Sequence, residues 1–205
     1  MKMMVKKLFT VAVVTFGMMG SALAFDPNDV ALGQPAFAGT GCPWGSASVA
    51  LSPDAQELSI LFDNYAVDAG GATGRTIARK NCTIAVPVHV PQGYSVSLIK
   101  VDYRGFNSLP AGAFSKFEAN YFFAGSAGPS QSRTFYGGTE GEYLLTSNLL
   151  LSDMVWSRCG DSVILRAATS LYLKNTNHMV EALSTLDSVD VSAGLIYRLS
   201  WKQCH

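Results

Sequence analysis

Residues 82–90 read Cys82-Thr83-Ile84-Ala85-Val86-Pro87-Val88-His89-Val90, and their alternation decides the fold class. Cys82, Ile84, Val86, Val88 and Val90 fall on one side of an extended chain, and Thr83, Ala85, Pro87 and His89 on the other. Successive side chains of a β-strand point to opposite faces, so a period of two marks a strand with one buried face. Leu58, Ile60 and Phe62 repeat the pattern against Ser59, Leu61 and Asp63, and Leu195, Tyr197, Leu199 and Trp201 against Ile196, Arg198, Ser200 and Lys202. Pro87 lacks the N–H that a ladder needs, which predicts a sheet edge or a bulge at that point.

One stretch changes phase. Tyr94, Val96 and Leu98 are apolar at even positions, whereas Ile99, Val101 and Tyr103 are apolar at odd ones. A regular strand cannot bury both sets on one face, so a bulge near Leu98–Lys100, or a crossing between sheets, is expected. Further strands are expected over Phe117–Phe123, Arg133–Tyr136, Glu142–Leu145, Val163–Leu173 and Leu183–Val191, with a short helical turn over Thr146–Met154. Gly/Pro/Asn clusters such as Asp68–Gly74, Pro91-Gln92-Gly93 and Gly137–Gly141 separate them. About nine or ten short strands with regular turn signals define an all-β, two-layer antiparallel β-sandwich, jelly-roll or immunoglobulin-like.

The first 24 residues follow a different logic. Lys2, Lys6 and Lys7 precede the apolar run Leu8–Met19, and Ser21-Ala22-Leu23-Ala24 supplies small residues before Phe25. This is the design of a secretory signal peptide cleaved after Ala24, the run being too short to span a bilayer. The organisation expected is therefore a signal peptide at 1–24, an extended lead-in at 25–39 and a single sandwich domain at 40–205. Of 205 residues, 15 are Lys or Arg and 15 Asp or Glu. After cleavage 12 basic residues face 15 acidic ones, a net charge of −3. With no basic excess a nucleic-acid partner is not expected, and no second apolar run is long enough to be an integral membrane segment. The location expected is secreted or periplasmic.

Four cysteines, Cys42, Cys82, Cys159 and Cys204, lie beyond the leader. An even count in an exported chain reads as disulfides rather than zinc ligands, which favour close pairs. Three pairings are available to four cysteines. The pairing expected is Cys42–Cys82 with Cys159–Cys204, one staple in each half.

No reactive constellation stands out. There is no Gly-x-Ser-x-Gly elbow, no His-Glu-x-x-His, no phosphate loop and no Gly-x-Gly-x-x-Gly. His89, His178 and His205 are the only histidines, and none has a triad partner nearby in sequence. No catalytic residue, metal site or cofactor is expected. Asp63 and Asp102 each end an apolar strand pattern, where side chains line a sheet rim, and Asp102 leads into Tyr103, Arg104 and Phe106. Asp63, Asp102, Tyr103 and Arg104 are thus the candidate binding residues. Asp63 and Asp102 are also the pair a carboxylate hydrolase would use. Asp63, Asn64 and Asp68 are oxygen ligands by type, though no compact calcium loop holds them. Of the consecutive aromatics Tyr121, Phe122 and Phe123, the middle one must face away from its neighbours. A sugar-binding sheet uses such an outward ring as a stacking platform; core packing is the plainer use of it.

The motifs around the cysteines resemble a known family. They are Gly39-Thr40-Gly41-Cys42-Pro43, Leu51-Ser52-Pro53-Asp54, Leu61-Phe62-Asp63-Asn64-Tyr65, Arg79-Lys80-Asn81-Cys82, Pro91-Gln92-Gly93-Tyr94, Val101-Asp102-Tyr103-Arg104-Gly105, Trp156-Ser157-Arg158-Cys159-Gly160 and Leu199-Ser200-Trp201-Lys202-Gln203-Cys204. Together, over residues 39–204, they are similar to the domain of unknown function 4360 family. The resemblance implies an exported, disulfide-bearing domain and brings no activity with it. The function expected is a non-catalytic exported module binding a glycan, a cell surface or a protein. A structural envelope or matrix component and a secreted carboxylate-dependent hydrolase are the alternatives.

Overall fold

A computed structural model describes residues 25–125, 128–149, 154–186 and 194–204. The expected leader with its expected cleavage after Ala24, and His205, lie outside the described residues. The strands are β1 (Ala31–Leu32), β2 (Ala36–Ala38), β3 (Ala47–Leu51), β4 (Glu57–Phe62), β5 (Ala66–Ala69), β6 (Ile77–His89) and β7 (Tyr94–Leu109). They continue as β8 (Ala113–Phe123), β9 (Ser130–Tyr136), β10 (Thr139–Asn148), β11 (Val163–Asn175), β12 (Ala182–Thr185) and β13 (Leu195–Gln203).

All pairings are antiparallel, and they form two sheets. In sheet one the order is β6-β11-β8-β9, with β1 and β2 added to β6. Sheet two runs β3-β4-β13-β7, with β10 on the other flank of β7 and β12-β5 joining near its end. The chain is therefore the two-layer sandwich its alternation implies. The strand count exceeds the expected one because short edge strands such as β1, β2 and β5 are too brief to show a period.

Both inner faces come from the predicted apolar sets. Ile84 of β6, Phe117 of β8 and Leu171 and Leu173 of β11 oppose Leu58 and Ile60 of β4, Val101 and Tyr103 of β7, and Leu195 and Tyr197 of β13, all essentially inaccessible. Across the gap, the Tyr103 and Phe117 rings approach to 4.8 Å between centroids. Burying each such side chain contributes about 1.5–3 kcal/mol.

The phase change in β7 is resolved by a bulge. Arg198 of β13 pairs with Lys100 and the next residue, Leu199, with Leu98, so Ile99 is skipped. The extra residue lets Val96 and Leu98 face the same core as Val101 and Tyr103. Pro87 lies opposite a break in the flanking strands: β1 pairs with Val88 and His89 of β6, and β2 with Thr83, Ile84 and Ala85. Gly33, between β1 and β2, donates its N–H to the Pro87 carbonyl at 2.8 Å. The N–H that proline lacks would point to this same flank, where the ladder is already interrupted.

Both disulfides form as expected. Cys42–Cys82 ties the turn after β2 to β6, and Cys159–Cys204 ties the loop before β11 to the end of β13. The lead-in is docked: Phe25 stacks on Trp201 at 5.2 Å and meets Tyr94 edge-on at 5.3 Å.

Two local expectations are corrected. Thr146–Asn148, assigned to a helical turn, continue strand β10, held by the β7 ladder; residues 150–153 are outside the described residues. The strand expected at Leu183–Val191 spans Ala182–Thr185, and residues 187–191 are likewise outside. Among the described residues, no helix is long and apolar enough to cross a membrane.

Candidate binding site

The four residues singled out from sequence occupy three different environments. Asp63 is exposed in the turn after β4, where its N–H donates to the Ser46 carbonyl at 2.9 Å. Asp102, expected at a strand rim, instead sits in the middle of β7, because the bulge allows that strand to run on to Leu109. It is only 7% exposed, and both carboxylate oxygens are engaged: Thr146 donates to Oδ1 at 2.6 Å and the Lys100 ammonium lies 3.0 Å from Oδ2. Arg104 shares that outer face of sheet two, half-buried opposite Leu144. Tyr103 points the other way, into the core, and burial raises its phenol well above the ordinary tyrosine range. The structure thus brings Asp102 and Arg104 to one face and separates them from Tyr103 and Asp63. Asp68, from the oxygen-ligand set, is paired with Arg75 at 2.7 Å.

A different surface gathers more polar chemistry. The outer face of sheet one carries the alternate residues of β6, β11, β8 and β9, and the registers align them in rows across the strands. One row is Asn81, Ser170, Glu118 and Ser132; the next is Thr83, Ala168, Asn120 and Ser130. These side chains are small or short. The row before them holds Arg79, Tyr172, Lys116 and Thr134, and the row after them Ala85, Arg166 and Phe122, all but Thr134 and Ala85 long or bulky. Low rows between high ones make a groove of about 410 Å³ running across the strands. Four strands at roughly 4.8 Å spacing give it a length of about 14 Å.

The groove is built on rigid ladders and held from below and beside. Thr40 donates both its N–H (3.4 Å) and its hydroxyl (3.2 Å) to Asn81 Oδ1, fixing that amide at the β6 end. The approach requires glycine: Gly39 has φ +133°, and a Cβ there would lie 2.2 Å from the Asn81 carbonyl oxygen. In the floor, the Lys116 ammonium lies 2.6 Å from Glu118 Oε1, and Ser170 donates to Glu118 Oε2 at 3.4 Å. The Lys116 hydrogen bond, ahead of every other influence, holds the Glu118 carboxyl below its usual range. Aromatic rings flank both sides. Tyr172 packs on Phe114 at 5.8 Å, Tyr136 beside them is 71% exposed, and Phe122 lies in the row on the other side while Tyr121 and Phe123 are buried. The outward ring predicted by alternation faces away from its neighbours and packs against Gly128, where an added Cβ would lie 2.8 Å from that of Phe122. Trp44, 92% exposed, projects from the Cys42–Cys82-braced turn four residues beyond Thr40.

The floor residues escape a reading of the sequence because they are ordinary polar alternates in their own strands. Asn81, Ser170 and Glu118 become neighbours only through pairing of β6, β11 and β8. The one local sign is a run of small, mostly polar residues at alternate positions, Asn81-x-Thr83 and Ala168-x-Ser170, against an apolar inner set.

Fold, cross-links and groove define a class: an exported, twice-bridged β-sandwich with a polar channel on one outer face. Disulfides of this kind persist in oxidising compartments, and the protein is a secreted or periplasmic one. The chain belongs to the family described as Domain of unknown function (DUF4360), whose model matches residues 28–204. It is also similar to a protein of Arthroderma benhamiae called "Uncharacterized secreted protein", 32% identical over 186 residues, which are 90% of this chain and 76% of that one.

Proposed function

We propose that the protein is a non-catalytic exported module that binds a glycan in the groove on sheet one. The observation that carries this reading is the pair of low, polar rows that line an open groove between longer side chains. Hydroxyls, carboxamides and a carboxylate at fixed strand positions offer donors and acceptors to a ligand covered in hydroxyls. Tyr172, in the row of Arg79 along one side, supplies flat apolar surface for the C–H face of a sugar ring. An open groove with a length of about 14 Å, four strands at the usual spacing, suits a stretch of polymer better than an enclosed small molecule. Asp63 and Asp102 do not contribute to it, and Asp102 spends both oxygens within the protein.

The test is retention of the secreted protein on a panel of immobilised polysaccharides, compared with the variant Ser170→Trp. Ser170 is half-exposed on the groove floor, so the indole fills the channel without entering the core. Binding by the parent protein and loss in the variant, at unchanged melting temperature, is the expected result. Retention of neither on any polysaccharide, or equal retention of both, overturns the reading.

A further inference from the structure

We propose that the polymer taken by this groove is acidic, with a carboxylate-bearing sugar seated against Arg79; the inference rests on the glycan reading above. Charge on the molecule is unevenly placed. The outer face of sheet one carries Arg79, Lys116, Arg166 and Lys174 against the single carboxylate Glu118, whereas residues 25–205 as a whole have 12 basic and 15 acidic side chains. The remainder of the chain is therefore strongly acidic, and the groove is the positive face of a negative protein. Long-range attraction selects anions for such a surface and repels them elsewhere.

Local pairing sharpens the assignment. Glu118 is satisfied by Lys116 and Ser170, so that carboxylate and that ammonium largely cancel. Arg79 lines the groove one row away, and among the described residues no salt bridge uses it or Arg166. A guanidinium presents a planar fork that matches a carboxylate bidentately. The neighbouring Asn81, Ser132 and Asn120 offer hydroxyl and carboxamide groups that can meet the hydroxyls of a uronate ring beside its carboxylate. A polynucleotide fits less well. Its bases need aromatic platforms to stack on, whereas the residues lining this groove are mostly hydroxyls and carboxamides matched to the hydroxyls of sugar rings.

Affinity electrophoresis separates these cases. The secreted protein is run through gels containing polygalacturonate, its fully methyl-esterified form, a neutral glucan, or single-stranded DNA. Retardation by polygalacturonate that weakens with added salt, and is much smaller with the ester, is the expected pattern. Arg79→Gln weakens polygalacturonate binding about tenfold, the scale of one charge-assisted hydrogen-bond pair, and weakens any residual binding of the ester by much less. Ser170→Trp removes retardation altogether. Equal retardation by the acid and its ester, or by neutral glucan alone, overturns the acidic assignment and leaves the glycan reading standing. No retardation by any polysaccharide overturns both. Retardation by DNA as strong as by polygalacturonate, insensitive to Ser170→Trp, means diffuse charge attraction and also overturns the inference.

Discussion

Asn107 offers the sharpest test of how the two sheets are pinned together. It belongs to β7, it is 1% exposed, and its Oδ1 accepts hydroxyl hydrogen bonds from Ser184 of β12 at 2.6 Å and from Ser115 of β8 at 3.1 Å. The first bond lies within sheet two and the second crosses the core to sheet one. Replacing Asn107 by leucine keeps the branched shape but leaves two fully buried hydroxyls without this acceptor. Each lost hydrogen bond with an orphaned group costs about 1–3 kcal/mol, so the expected loss is about 2–6 kcal/mol, a large part of a domain's usual 5–15. Removing the orphans as well, in Asn107→Leu/Ser115→Ala/Ser184→Ala, leaves an apolar cluster and returns much of that loss. Urea unfolding followed by far-ultraviolet circular dichroism measures both, with an unchanged slope confirming the same denatured state. The triple variant should be more stable than Asn107→Leu alone, a non-additivity possible only among coupled neighbours. A loss below about 1 kcal/mol in the single variant, or a triple variant as unstable as the sum of three single losses, refutes the network reasoning.

The same packing fixes other measurable outcomes. Burial raises the Tyr65 phenol from 10.0 to about 12, and burial shifts Tyr103, Tyr143 and Tyr197 upward too. The folded chain thus holds these protons more tightly than the unfolded one. The Tyr65 share of stability is complete below pH 10 and is lost as pH climbs through 12, about 3 kcal/mol in all. Alkaline titration should show tyrosinate absorbance rising together with loss of ellipticity, and full ionisation of all tyrosines in a still-folded protein contradicts it. Cys42→Ser/Cys82→Ser opens a loop with a sequence separation of 40 and should cost about 4 kcal/mol, read as a lower urea midpoint. Gly39→Ala forces a Cβ onto the Asn81 carbonyl and should lower the melting temperature, whereas Trp44→Ala, at a 92% exposed position, should leave it unchanged.

Strand positions were readable wherever one face alone was apolar, as in residues 82–90. The bulge was readable too, because the side-chain period is two and Leu98 and Val101 cannot share a face without an extra residue. The continuation of β7 beyond Asp102 was not. Asp102, Arg104 and Asn107 place polar groups on both faces of one strand, which hides its period. Their roles depend on Thr146, Ser115 and Ser184, residues that local pattern cannot associate with them. The groove escaped for the same reason: its rows run perpendicular to the chain, so their composition exists only after three ladders have formed.

The two covalent links enclose separate arcs of the chain, one from Cys42 to Cys82 and the other from Cys159 to Cys204. An extracellular peptidase that nicks the Gly70–Gly74 turn, or the segment holding the 89% exposed Met179, cuts inside one of these arcs. The severed ends stay on one molecule, and the groove strands between them keep their places. A cut at Pro110–Gly112 falls between the arcs and leaves two pieces joined only by noncovalent contact. Electrophoresis of nicked protein before and after reduction would reveal which loops the environment can trim without dismantling the module.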